Sequence, residues 1–158
     1  MSRKSFSCEF DLAGFLGQID EMDGQLTSAI RPAAQAGAQV LYDEVKRNVR
    51  KLKRHTGNLD SAIYQVFSKS QSNDLHSIYH VSWNRSKAPH GHLVEFGHLQ
   101  RYEVSYDPQT KRFTTHKDRP LPTPKLVAAK PFLRPAMAKF PAAMQAAKAV
   151  ILKKMEQL

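Results

Sequence analysis

His90, His92 and His98 fall in one short stretch, with Glu95 among them and His116 further along. Imidazole nitrogens and a carboxylate are the donors a divalent transition metal takes, and a metal so held could activate water for hydrolysis. A metal-dependent hydrolase is therefore one reading of these residues. Their spacing matches no metalloenzyme signature such as H-E-x-x-H. His90 and His92 would share a face only in an extended strand, not in a helix. Histidines scattered around a surface loop give the same pattern, and no metal site or cofactor is assigned from it.

Other chemistry has less support. Cys8, the single cysteine, has no histidine near it in sequence, and it excludes an internal disulfide framework and a cysteine-rich zinc module. The serines lie in no G-x-S-x-G elbow, and there is neither a P-loop nor a G-x-G-x-x-G turn. The acidic residues are few and unpaired along the chain. The sequence therefore reads as a non-enzyme.

A different chemistry is carried by Lys46, Arg47, Arg50, Lys51, Lys53 and Arg54, six cations in nine residues. Such a run contacts phosphates without reading bases, and its binding weakens with salt. The alternative function is thus a basic module for double-stranded nucleic acid. Few aromatic residues interleave with the cations, which argues against a single-strand stacking platform.

These residues need elements to position them. Residues 9–24 are weakly amphipathic through Phe10, Leu12, Phe15, Leu16, Ile19 and Met22, with Asp11 as a cap and Gly24 as a stop. Residues 26–54 carry the clearest helical stripe: Ile30, Ala34, Ala38, Leu41, Val45, Val49 and Leu52, with the cations opposite. Pro32 sits early in that helix, and Gly57 is suited to a left-handed cap at its end. Residues 62–67 and 75–83 read as an antiparallel strand pair joined by a polar loop. Residues 84–91 read as a loop, and 92–97 as a short helix stopped at Gly97. Tyr102, Val104 and Tyr106, a turn at Asp107-Pro108, then Phe113 and Thr115 predict a second hairpin. Pro120, Pro122 and Pro124 predict an extended basic arm over 117–130. Residues 132–157 predict a last helix whose apolar face is Phe132, Leu133, Ala136, Phe140, Met144, Ala147, Ile151 and Met155, kinked at Pro141. The fold class expected is α+β. N-terminal helices and a C-terminal helix pack on a small, mainly antiparallel sheet of about four strands.

The chain has 158 residues, which suits a single domain over 1–158, with 1–25 as an N-terminal segment and 98–130 as an inserted hairpin and arm. Its 24 Lys+Arg against 14 Asp+Glu give a net charge of +10 and a pI near 9.9, which implies an anionic neighbour. The charge is uneven: residues 1–30 carry −3, residues 31–60 carry +4 and residues 61–158 carry +9. The start of the chain predicts no secretory signal, and no apolar run is long enough to span a membrane.

Three blocks in order resemble one family. They are Thr56-Gly57-Asn58-Leu59-Asp60-Ser61-Ala62-Ile63, then His92-Leu93-Val94-Glu95-Phe96-Gly97, then Lys130-Pro131-Phe132-Leu133-Arg134-Pro135-Ala136. Over about residues 25–155 this order is similar to the head–tail joining, or tail-completion, neck proteins of long-tailed lambdoid-type bacteriophages and prophages. The resemblance implies a structural virion protein, made in the host cytoplasm, that forms a ring of identical subunits, a hexamer to match a tail tube. Its partners would be further copies of itself, a head-connector or adaptor protein, and a tail-tube or tail-terminator protein. Contact with passing DNA would be transient and non-specific, and membranes would play no part.

The same blocks have a physical reading as fold motifs. Thr56-Gly57 turns the chain so that Leu59 and Ile63 meet the core. Glu95-Phe96-Gly97 sets an apolar anchor beside a glycine turn. Pro131 and Pro135 bracket Phe132 and Leu133 at the start of the last helix. Glu95 would pair with Arg134 in the same chain, the favoured arrangement, or with a neighbouring subunit. One departure stands out. Thirty-three residues separate Gly97 from Pro131, where such proteins have a short span, so the insertion 98–130 is expected to mediate assembly.

Overall fold

The computed structural model describes residues 12–52, 57–110 and 112–157, with side chains from residue 23 onward. Its first element, α1, is one helix over Leu12–Lys51, about 60 Å long at 1.5 Å per residue. The two helices expected across 9–54 are therefore one. Gly24 does not stop it: the positive-φ glycines among the described residues are Gly57 and Gly97. A glycine that keeps helical angles costs about 1 kcal/mol, too little to end a helix held by packing further along. Pro32 lies inside α1 on its exposed side, where water can hydrate the carbonyl left without a partner. The expected cap, Asp11, lies outside the described residues.

After Gly57, which is left-handed at φ 75°, α2 (Asn58–Ala62) leads directly into β1 (Ile63–Phe67). β1 pairs antiparallel with β2 (Tyr79–Trp83), in a register that sets Ile63 opposite Trp83 and Phe67 opposite Tyr79. A hydrogen-bonded turn over 84–90 follows, in which the Asn84 carboxamide oxygen accepts from the N–H groups of Ser86 and Lys87. The turn buries Ala88 completely and delivers the chain to α3 (Gly91–Phe96). β1 and the short helix lie close to where their sequence patterns put them, while the second strand, expected over 75–83, begins only at Tyr79.

β3 (His98–Asp107) and β4 (Arg112–Val127) form a second antiparallel pair. The fold is α+β, and among the described residues the four strands divide into two separate two-stranded sheets. The proline segment 117–127 belongs to β4 and is not a free arm. Leu99 faces Leu126 and Gln100 faces Lys125, with register shifts around Tyr102, whose partner is Pro120. Prolines lack the N–H that a ladder needs, but in a two-stranded ribbon each strand is an edge, and an edge tolerates them. The irregular register absorbs the residues that cannot pair.

The chain then passes through a short 3₁₀ turn, Arg134–Lys139, into α4 (Phe140–Met155). Pro141 falls at the first positions of α4, where its missing N–H is no loss, so it starts this helix and does not kink one. α4 runs antiparallel along α1. Asn48 of α1 donates to the Phe132 carbonyl, while Gly37 of α1 meets Ala143 and Ala147. A Cβ at Gly37 would lie 3.1 Å from the Ala143 carbonyl oxygen, so the two backbones approach closely only because that position is glycine.

The core lies between the C-terminal half of α1 and the segments crossing it. It comprises Val45, Val49, Leu59, Ala62, Ile63, Ala88, Phe132 and Ala136, edged by Tyr42, Leu52, Val81, Trp83, Val94 and Leu133. Phe132 is fully buried, and its ring meets the Trp83 indole edge-on, 5.7 Å between centroids at 75°. Burying a phenylalanine stabilises by about 1.5–3 kcal/mol, with a further contribution from the aromatic pair.

Candidate functional site

Glu95 is the one buried charged residue in the described core, 2% exposed. Its Oε2 accepts the N–H groups of Phe132 at 2.7 Å and Leu133 at 3.0 Å. Its Oε1 accepts the Arg134 N–H and Nε–H, both at 3.1 Å. Arg134 Nη2 also donates to the Glu95 carbonyl at 2.7 Å. The three backbone donors open the 3₁₀ turn ahead of α4. Arg134 begins that turn, Leu133 caps it and Phe132 precedes it, and all three N–H groups are satisfied by a carboxylate from a distant element. Burial alone would raise the Glu95 pKa. The hydrogen bonds from Leu133, Phe132 and Arg134, with the guanidinium, outweigh it and hold the group below its ordinary value.

This clasp decides what else α3 presents. Neighbouring residues on a helix point about 100° apart, so turning Glu95 inward turns Phe96 out. Phe96 is 64% exposed, with the Arg134 guanidinium 5.1 Å from its ring centroid. The expected apolar anchor is therefore a surface residue under a cation. Gly97 follows at φ 74°, and a Cβ there would lie 2.7 Å from the Val127 carbonyl oxygen and 2.8 Å from the Ala129 nitrogen. The Lys130 N–H donates to the Val94 carbonyl at 2.8 Å. Both ends of the second hairpin are thus fixed to α3. Of the remaining motif residues, Leu59 and Ile63 are buried, Leu133 packs at the core edge, and Pro131 and Pro135 are exposed. Thr56 lies outside the described residues.

The histidines do not converge. Among the described residues no three His, Cys, Asp or Glu side chains form a metal-binding group. Glu95 is turned into the clasp, and His116 Nε2 lies 2.8 Å from Ser105 Oγ across the hairpin. His90 is held below its ordinary pKa, by burial first and by the neighbouring His92 second. His98 begins β3, beyond Gly97.

Several cations of α1 are engaged within the chain. Lys46 Nζ donates to the Asp60 carbonyl at 2.6 Å and lies 3.0 Å from Asp60 Oδ1, tying α1 to α2. Arg50 Nε is 3.8 Å from the same oxygen, and Arg47 pairs with Glu44 one turn back. Arg47, Arg50 and Lys51 are exposed, while Lys46 is mostly covered. Lys53 and Arg54 lie outside the described residues. The Lys46–Asp60 tie had no sequence signal, since neither residue stands out from its charged neighbours.

Two apolar surfaces are left open. No residue of β3 or β4 is buried, and Leu99, Tyr102, Val104, Tyr106, Phe113 and Leu126 are all exposed. At about 3.3 Å per residue, ten-residue β3 carries the hairpin roughly 33 Å from α3. Its tip is ordered by Asp107, which accepts from Gln109 N–H at 2.9 Å and the Thr110 hydroxyl at 2.6 Å. The second surface is on α4. The expected apolar face is rotated: the alanine side, Ala136 and Ala143, is buried, while Met137, Phe140, Met144, Leu152 and Met155 are exposed. Close backbone packing on Gly37 leaves no room for larger side chains there. Sequence periodicity finds the stripe but cannot tell which of two adjacent stripes faces inward.

No helix among the described residues is long and apolar enough to cross a membrane. No curated protein and no solved structure matches the chain. A family model described as "Bacteriophage HK97-gp10, putative tail-component" matches residues 13–97, more than half of the chain. The matched span covers nearly all of α1 and runs through α3 to Gly97, ending where the hairpin begins. On that match the chain belongs to the HK97-gp10-like family of bacteriophage tail components.

Proposed function

We propose that the chain is a structural subunit of the virion neck, which joins the head to the tail or completes the tail as part of a ring of identical copies. The observation that carries this reading is the hairpin 98–127: a long ribbon, fixed at both ends and lined with exposed Leu99, Tyr102, Val104, Tyr106 and Phe113, that no other described residue covers. Exposed apolar surface on that scale marks a partner site. A protruding element that contacts the next copy is a head-to-tail contact, which closes into a ring when the rotation allows; six-fold closure would match a tail tube. The other partners are a head-connector or adaptor protein and a tail-tube or tail-terminator protein, met after synthesis in the host cytoplasm.

The role is structural, with no turnover. The net charge of +10 suits a subunit flanking a DNA passage, through weak and salt-sensitive phosphate contacts. The exposed Arg47, Arg50 and Lys51 would make them, while Lys46 serves the α1–α2 tie. The test is to inactivate the gene in the phage or prophage that encodes it. Filled heads and free tails, unjoined, with the chain present in wild-type virions by mass spectrometry, are the expected result. Normal virions without the chain would overturn the proposal.

A further inference from the structure

We infer that the exposed apolar face of α4 is the seat for the N-terminal arm of α1 from a second copy of this chain; the inference rests on the ring reading and names one of its contacts. The geometry of α1 comes first. The Ala143–Ala147 turn of α4 is level with Gly37, and α4 then runs only to Met155. Because the helices are antiparallel, α4 covers α1 back to about residue 29, and the turns from Leu12 extend about 25 Å beyond it. A continuous helix cannot fold back on its own α4, so an α4 that meets this arm belongs to another molecule.

Charge names the occupant. Residues 12–30 hold Asp20, Glu21 and Asp23 and no basic residue, a net of −3. Residues 139–158 hold Lys139, Lys148, Lys153 and Lys154 against Glu156 alone, a side-chain net of +3. Apolar pattern agrees. In the arm, Phe15, Ile19, Met22 and Leu26 recur at four- and three-residue steps, and Leu26 is exposed. Met137 of the 3₁₀ turn and Phe140, Met144 and Met155 of α4 lie along one side and are open to solvent. At about 100° per residue, Lys148 falls in line with that stripe, one turn after Met144, and Lys154 lies at its edge. Two amphipathic helices with opposite charge at their apolar seams are built to pack on each other, and the chain carries one of each. Each copy offers an arm to one neighbour and a seat to the other, the arrangement a closed ring requires.

The experiment uses the full chain. Carbodiimide coupling of mixed isotope-labelled and unlabelled copies should join Asp20, Glu21 or Asp23 of one copy to Lys148 or Lys154 of another. By sedimentation across a concentration series, the variant Asp20→Lys/Glu21→Lys/Asp23→Lys should self-associate at least ten-fold more weakly. Adding Lys148→Glu/Lys154→Glu in the same chain should restore association, which a misfolded variant could not do. Unchanged self-association in the charge-reversed chain, or no rescue, overturns the inference and leaves the ring reading standing. A Lys148→Glu/Lys154→Glu chain that self-associates normally but fails to build particles also overturns it, because the seat would then serve a different virion protein. Failure of the ring reading shows separately, as normal virions when the gene is inactivated.

Discussion

Glu95 and Arg134, 39 residues apart in sequence, make three contacts: Oε1 takes both the backbone N–H and Nε–H of Arg134, and the Glu95 carbonyl takes its Nη2. The span between them is almost entirely the exposed hairpin. The pair therefore closes the hairpin's base and starts the C-terminal helix at once. This clasp is thus the root of the projecting hairpin.

Glu95→Ala should be among the most damaging single changes. It strands the N–H groups of Phe132, Leu133 and Arg134, each buried donor costing about 1–3 kcal/mol, while the exposed Arg134 guanidinium is left to solvent. Glu95→Gln keeps the shape and one good acceptor, so its cost should be nearer 1–3 kcal/mol. Chemical denaturation of both variants checks the order; equal, small losses would contradict the clasp.

The clasp also has a pH signature. The folded pKa of Glu95 is depressed, so its stabilisation is present above the unfolded carboxyl value, near 4.3, and is lost as pH falls through the lower folded value. The stability gap between wild type and Glu95→Gln should be full at pH 7 and should close progressively below about pH 4. Melting curves from pH 7 to 3 measure it. A gap that widens in acid would contradict the assigned sign.

Phe132→Ala empties the centre of the core and removes the edge contact with Trp83. The expected loss is about 3–5 kcal/mol. Melting temperature is the readout, and an unchanged curve would remove Phe132 from the core.

The cations of α1 should separate into two groups. Lys46→Ala loses its hydrogen bond and ion pair to Asp60 and should cost about 1–2 kcal/mol. Replacing Arg47, Arg50 and Lys51 together should leave stability nearly unchanged while reducing retention on duplex DNA and its salt dependence. Filter binding at several salt concentrations separates them. Equal DNA loss from Lys46→Ala alone would contradict the division.

Much of this was legible in sequence where a residue's type restricts its backbone or its depth. Gly57 and Gly97 were legible as turns, and Phe132, Leu59 and Ile63 as inward residues. The strand pair followed from alternation, although the second strand, read as 75–83, starts at Tyr79. The continuity of α1 through Gly24 and Pro32 was not legible, because propensity penalises both residues and only packing further along the helix offsets the cost. The proline strand was missed for a related reason: proline reads as a loop unless the strand is known to be an edge. The clasp was half legible. Its Glu95–Arg134 pair follows from opposite charges in adjoining motifs, but the backbone donors of Phe132 and Leu133 leave no trace in side-chain identity. Which face of α4 turns inward depends on Gly37, far away in the chain.

The most direct measurement is the infectious titre of a phage whose copy of this chain lacks the distal hairpin, residues 102–121, with the base at His98–Arg101 and Pro122–Val127 joined by a short glycine turn. The clasp remains, so the expected protein is folded and melts close to wild type. The expected titre falls by orders of magnitude, with heads and tails accumulating apart. A folded, hairpin-shortened chain that supports a wild-type titre would contradict assembly through this hairpin.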